Sequence, residues 1–205
     1  MEFAQLTNEF KHHGPRLQVD GIVIHSMAKY FHRFILREKP YNISSDLVSE
    51  LPEIIFAPDF LEFVGKNAKQ SWLKGSADSF IERHGIGYRY GYDKQTWHSG
   101  VSQWKNWKNL NKNFLGLELL LGDKPFNDYG HFINEINNNE SLYTEPMYQT
   151  LAYECIRLMN VYNLDISNIV THEMVAGDHI RGKGKGKQDP GRAFNWNYFI
   201  SLLSK

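Results

Sequence analysis

The chain carries a single cysteine, Cys155, among its 205 residues. One thiol cannot form an internal disulfide or build a cysteine-rich zinc site, so any metal here falls to histidine and carboxylate. A charge excess is also missing, because 23 basic side chains balance 23 acidic ones. Without a net field to attract polyanions, nucleic acid is excluded as a partner class, and a neutral or polar substrate fits better. No apolar run approaches the ~20 residues that cross a bilayer. The opening Met1-Glu2-Phe3-Ala4-Gln5-Leu6 shows neither a basic nor an apolar signal segment. These absences predict a soluble, cytoplasmic protein, with release by lysis or a non-standard route left open. Nothing in them sets the oligomeric state.

What is present suffices for one cored domain spanning residues 1–205, its core over about 19–203, since the apolar share is 41% and aromatics make up 14%. Residues 19–24 read as a buried strand that delivers His25 at its end. Residues 46–51 suit a helix capped by Ser44 or Ser45. Pro58-Asp59 opens another, with Phe60, Phe63, Val64, Ala68, Trp72 and Leu73 on one face. A hairpin is expected over 79–83 and 87–90, and a third strand segment over 96–98. The run Phe114-Leu115-Gly116-Leu117-Glu118-Leu119-Leu120-Leu121 is apolar on both alternations except at Glu118, the pattern of a central strand. Residues 123–143 are Asn-rich and read as loop.

Thr144 caps a helix that carries Pro146 in its first turn, an apolar stripe through Met147, Leu151, Cys155, Leu158 or Met159, and Tyr162, and an end at Asn163. Residues 166–171 supply a strand ending at His172. Residues 177–188, rich in glycine and lysine, read as too flexible for a regular element. Asn195 caps a last helix over 196–203. The fold class is α/β, a central mixed sheet flanked by helices.

His25 and His172 both follow β-branched runs, so both can emerge at one sheet edge, where ligands of such folds gather. With Asp189 they form two imidazoles and a carboxylate, a set that leaves a tetrahedral zinc ion one open position, as hydrolases require. Each residue also has an ordinary reading: a hydrogen-bonded histidine, or a turn aspartate before Pro190-Gly191. An ionised Glu118 inside an apolar strand costs roughly 3 kcal/mol or more unless paired or protonated. It is therefore either paired with a cation across the sheet or held as a general base of raised pKa. Lys187 is either a solvated lysine or a cation placed for an oxyanion. The Gly182–Lys187 tract is no phosphate loop, because Gln188 stands where serine or threonine is needed. Trp97, Trp104 and Trp107 serve either packing or stacking on a sugar ring, and His98 beside Trp97 is a candidate ligand contact. His12, His13, His32, His84, His131 and His179 show no ligand spacing and read as solvated.

With these residues in place, the chain resembles the zinc-dependent N-acetylmuramoyl-L-alanine amidases, which share their fold with peptidoglycan recognition proteins. The resemblance is carried by Gly21-Ile22-Val23-Ile24-His25, Trp97-His98-Ser99-Gly100-Val101-Ser102, Asn111 through Leu119, Tyr143-Thr144-Glu145, and Ile169-Val170-Thr171-His172 continuing to Lys187-Gln188-Asp189-Pro190-Gly191. Trp104 and the Lys-x-Asp-Pro-Gly ending look most like the branch acting on anhydro-muropeptides. The resemblance implies His25, His172 and Asp189 as zinc ligands, Glu118 as general base and Lys187 as oxyanion stabiliser, with His98 and Trp97 contacting substrate. The implied reaction hydrolyses the amide between N-acetylmuramic acid, or its anhydro form, and L-alanine of a peptidoglycan or muropeptide stem. A non-catalytic muropeptide-binding protein of the same fold is the alternative. Three departures stand out: residues 177–186 look inserted, as a mobile loop at the groove mouth, residues 30–60 match no part of the family pattern, and Asp78 stands where the family often has histidine.

Overall fold

The computed structural model describes residues 3–5, 12–27, 77–89, 91–121 and 129–204. The helices expected at 46–51 and from Pro58 lie outside the described residues. The main sheet has six strands, in the spatial order β1 (Phe3–Gln5), β5 (Gly87–Arg89), β4 (Ser79–Glu82), β9 (Phe114–Leu120), β3 (Gly21–Met27) and β10 (Ile169–Thr171). It is mixed: β4 and β5 form the expected antiparallel hairpin, and every other pairing is parallel.

Alternation along β3 and β9 sorts side chains to two different faces. Ile22, Ile24, Leu115, Leu117 and Leu119 point into the larger core. There they meet Phe132 and Ile136 of α1 (Tyr129–Asn138), the apolar stripe of α2 (Glu145–Tyr162) and Phe199, Leu202 and Leu203 of α5 (Trp196–Leu203). Each fully buried leucine there contributes roughly 1.5–3 kcal/mol. Val23 and Phe114 face the other way and join a smaller cluster with Leu110, Val170, Val175 and Ala176. Trp104 and Trp107, cross-strand partners on β7 (Gln103–Trp104) and β8 (Trp107–Lys108), pack against that cluster.

The caps of α2 behave as expected. Thr144 accepts a hydrogen bond from the Met147 N–H, and Asn163 closes the helix in the left-handed region. Asn195 caps α5 by accepting from Tyr198 N at 2.9 Å. Residues 129–138, however, form a helix rather than a loop. Its polar asparagines face outward while Phe132 and Ile136, four apart, reach the core. The segment from Ile166 to Asn168 is a 3-10 turn, so only Ile169–Thr171 pairs as strand.

The third strand segment also shifts. β6 (Lys94–Thr96) pairs antiparallel with β2 (His12–Pro15) in a separate two-stranded sheet. The chain leaves that pairing at Thr96, which frees residues 97 and 98 to turn toward the main sheet. Asp78 is completely buried beneath this crossing. Its carboxylate accepts from Arg16 Nη1 at 2.7 Å, Thr96 Oγ1 at 2.8 Å and the Gly116 N–H at 2.7 Å. Where the related pattern has histidine, this chain thus uses a paired structural carboxylate tying Arg16 to the centre of the sheet.

Candidate metal centre and active site

The site lies on the face of the sheet opposite the larger core. His25 sits within β3, which continues to Met27, rather than just past its end. The pairing with β9 sets His25 directly beside Glu118. Register partners on parallel strands project to the same face, so ligand candidate and base candidate stand side by side. β10 pairs with β3 on its other edge, Thr171 opposite Ile24, and therefore brings His172 alongside His25. Thr171 then caps the short helix α3 (His172–Ala176) by accepting from Met174 N at 3.2 Å, which turns His172 inward. The two imidazoles meet edge to face, with ring centroids 4.2 Å apart.

Asp189 completes the cluster from the far side of a loop. Its carbonyl accepts from Glu173 N at 3.0 Å, and its carboxylate accepts from the Ser26 N–H at 3.3 Å. Tyr143 supports this placement by donating to the Pro190 carbonyl and meeting the Ser26 hydroxyl at 3.0 Å. His172 Nδ1 lies 3.0 Å from Asp189 Oδ2, and His25 Nδ1 lies 3.5 Å from the same oxygen. All three residues are buried, and ligand atoms from each lie within 4.8 Å of one another. His25 Nδ1 and His172 Nε2 are sealed from solvent without a hydrogen-bond partner among the described residues. Buried donors and acceptors rarely go unpaired, and orphaned atoms at a converging His-His-Asp cluster are what a metal site without its ion leaves behind. The residues fit a metal ion.

Glu118 keeps some exposure as a side chain, but its Oε2 has none and finds no hydrogen-bond partner among the described residues. No cation across the sheet pairs with it in the described structure. Burial, and then the charge of Asp189, push its carboxyl well above the ordinary range, with Lys187 opposing. Burial works on Asp189 in the same direction, yet the imidazoles of His172 and His25 overcome it and hold that carboxyl well below its usual value. The two carboxylates are thus driven apart, one toward the proton and one away from it. Lys187 is half-buried at the cluster's edge, fixed through its N–H to the Ala176 carbonyl at 2.9 Å.

His98, the candidate substrate contact, lies beside the metal-site histidines. It is buried, with both ring nitrogens directed at protein groups: Nδ1 lies 2.9 Å from His25 Nε2 and 2.8 Å from Ser99 Oγ, and Nε2 lies 3.0 Å from the Phe114 carbonyl. Asn111 anchors this turn, its Oδ1 accepting the N–H of His98 at 3.1 Å and of Ser99 at 2.8 Å. Trp97 turns outward instead, half-buried and stacked on His13 with ring centroids 4.0 Å apart.

The glycine-lysine segment is also more regular than its composition suggests. Asp178–Arg181 forms a short helix, α4, and the Asp178 carboxylate accepts the N–H groups of Gly184 at 2.9 Å and Gly186 at 2.7 Å. Arg181 donates from Nε to the Val101 carbonyl at 2.8 Å and from Nη2 to the Ser99 carbonyl at 2.5 Å, clamping the segment onto the turn that carries His98. Ser26, Tyr143, Asn111, Asp178 and Arg181 all escaped sequence reading. Only Tyr143 and Asn111 left a trace, as members of segments that carried the resemblance.

Burial, and then the nearby His172, push the His25 imidazole down to about 4. An unfolded imidazole titrates near ~6.5, so on acidification the unfolded chain takes up this proton first and the folded chain refuses it. The metal-free protein therefore holds its full share of stability above that pH. It is expected to lose on the order of 3 kcal/mol from this one group as the pH falls toward 4. Urea midpoints of the metal-free protein at neutral pH and near the lower limit would read this, and a flat profile would contradict the assignment.

A mixed sheet brings together two histidines, a carboxylate and a half-buried glutamate whose Oε2 has no hydrogen-bond partner among the described residues, a set whose chemistry suits a metal ion with a base beside it. The comparisons narrow it. The model of the N-acetylmuramoyl-L-alanine amidase family (Amidase_2) matches residues 15–192, and the chain belongs to that family. The 1,6-anhydro-N-acetylmuramyl-L-alanine amidase AmpD of Escherichia coli (strain K12) is 31% identical over 140 residues, covering 67% of this chain and 63% of that relative's own length. Among solved structures, a selenomethionine derivative of AmpD is similar with a TM-score of 0.59 at 21% identity, covering 98% of this chain and 94% of that one. The amidase AmiD of E. coli, solved with anhydro-N-acetylmuramic acid-L-Ala-D-gamma-Glu-L-Lys, is similar with a TM-score of 0.51 at 17% identity, covering 96% of this chain and 61% of that one. These two structural likenesses speak for the fold. Among the described residues no helix is long and apolar enough to cross a membrane.

Proposed function

We propose that this chain is a zinc-dependent amidase, a single catalytic domain that hydrolyses the amide between N-acetylmuramic acid, or its anhydro form, and L-alanine of the stem peptide. The observation that carries the reading is the juxtaposition of the converging His25, His172 and Asp189 with Glu118, which stands in register beside His25 with its Oε2 unpartnered among the described residues. Family membership supplies the reaction class, and the anhydro-muropeptide named in the AmiD complex and in the AmpD relatives supplies the substrate class.

His25, His172 and Asp189 would hold the zinc ion, which when bound would supply Lewis-acid polarisation of the scissile carbonyl and acidify a water. Glu118 would take a proton from the attacking water onto its half-buried carboxylate. Its raised proton affinity suits it to the task, and also to returning the proton to the departing alanine nitrogen. Lys187 offers its ammonium to the carbonyl oxygen as negative charge develops there. Asp189 would stay ionised as a ligand, its carboxyl held well below the usual value against burial, chiefly by His172.

The reading is tested by incubating the zinc-loaded chain with soluble anhydro-muropeptides and with purified sacculi, and following peptides with a free L-alanine amino terminus by mass spectrometry. Release from the soluble fragments is expected. If neither substrate yields that peptide with zinc present, the assignment is wrong.

A further inference from the structure

We propose that His98 is a positioning residue for the metal centre: it fixes the tautomer of His25 so that the Nδ1 lone pair of His25 faces Asp189 and the ion. The inference rests on the metal-binding reading above but not on the identity of the substrate.

The logic runs through single protons. The Phe114 carbonyl can only accept, and it lies 3.0 Å from His98 Nε2, so that nitrogen must carry the hydrogen. With its hydrogen on Nε2, a neutral His98 ring presents Nδ1 as a lone pair. That lone pair lies 2.9 Å from His25 Nε2, so His25 donates from Nε2. A neutral His25 with its proton on Nε2 has a bare Nδ1. This is the atom found buried without a hydrogen-bond partner among the described residues, 3.5 Å from Asp189 Oδ2. The Ser99 hydroxyl, 2.8 Å from His98 Nδ1, points a second donor at the same acceptor. A backbone carbonyl of β9 thus dictates, through two rings, which nitrogen of β3's histidine is free to ligate.

The fold makes room for this arrangement. His98 lies flat on the sheet over Gly116, where an added Cβ would come within 2.4 Å of the imidazole Cγ. A glycine inside an otherwise bulky central strand marks a close approach by another group, and the group here is the ring that orients His25. Asp78, whose carboxylate accepts the Gly116 N–H at 2.7 Å, holds the seat from beneath. Arg181 and Asn111 hold the turn from outside.

Two measurements on the full chain test the assignment. Long-range proton–nitrogen correlation spectra of the metal-free, nitrogen-15-labelled protein report each imidazole's tautomer, and both His25 and His98 are expected to carry the hydrogen on Nε2. Zinc affinity is then read by competition with a chromophoric chelator. His98→Leu fills the seat without an acceptor and is expected to weaken zinc binding about 10–100-fold. His98→Asn restores an acceptor oxygen near the position of Nδ1 and is expected to recover most of that loss. A merely structural role for His98 predicts no such recovery and no tautomer preference.

A wild-type His25 protonated on Nδ1 overturns the proposal. So does a folded His98→Leu protein that binds zinc as tightly as wild type, or a folded His98→Asn protein as weak as His98→Leu. Should His98→Leu fail to fold, the wild-type tautomer and the comparison of His98→Asn with wild type still decide. If the wild type bound no zinc at all, the metal reading would fall, while the tautomer spectra would still judge the link between His98 and His25.

Discussion

Replacing Glu118 with glutamine is expected to lower kcat about 10²–10⁴-fold while leaving zinc stoichiometry unchanged. The amide matches the carboxyl in shape but cannot take the water's proton, and it does not touch the ligand set. The same substitution is expected to stabilise the metal-free protein. Glu118 Oε2 is buried without a partner among the described residues, and burial raises its carboxyl well above the ordinary value. An acid with a raised folded pKa costs stability progressively as the pH climbs from its unfolded value through the folded one. Above that window the wild type keeps a buried charge, or pays to hold the proton, and the glutamine variant does neither. A higher melting temperature at neutral pH together with lost turnover is the expected pair. Full turnover in Glu118→Gln would remove this residue from the mechanism, and a lower melting temperature would show that the carboxylate has a structural partner.

His25→Ala is expected to abolish stoichiometric zinc binding and turnover together. Two remaining ligands do not make a closed set, and the cavity left beside Asp189 loses the imidazole that helps hold its carboxylate ionised. Calorimetry separates this from simple unfolding. A ligand bound only by the folded state adds about 4 kcal/mol when present at a thousandfold its Kd, so zinc is expected to raise the wild-type melting temperature and a chelator to reverse the shift. The His25→Ala protein is expected to melt at one temperature with zinc or chelator. If it retained stoichiometric zinc, the ligand set would have to be redrawn.

Much of this was legible in the sequence, for reasons that are local. The double-sided apolar run around Glu118 announces a central strand, and the Thr144, Asn163 and Asn195 caps announce helix ends, because these features depend on a few consecutive residues. The helix at 129–138 was hidden by its asparagines, since only Phe132 and Ile136 carry the burial signal and two positions do not outweigh that composition. His25 was placed at a strand end because the β-branched run stops at Ile24, whereas pairing with β9 carries the strand on to Met27.

The glycine-lysine segment reads as coil because no composition rule anticipates one carboxylate, Asp178, gathering two distant backbone N–H groups. The seat of His98 was least legible of all. Its partners come from 73 and 16 residues away, and its one local sign was a glycine in the wrong place, Gly116.

The pairing of His25 with Glu118 has a consequence for how such a site can diversify. Neighbouring strands are held about 4.7–4.9 Å apart by their backbone hydrogen bonds, whatever side chains they carry. The separation between ligand and base is therefore a lattice constant of the sheet, not the product of a loop conformation. Loops around the site can lengthen, shorten or change charge without altering the spacing between His25 and Glu118 that the two strands impose.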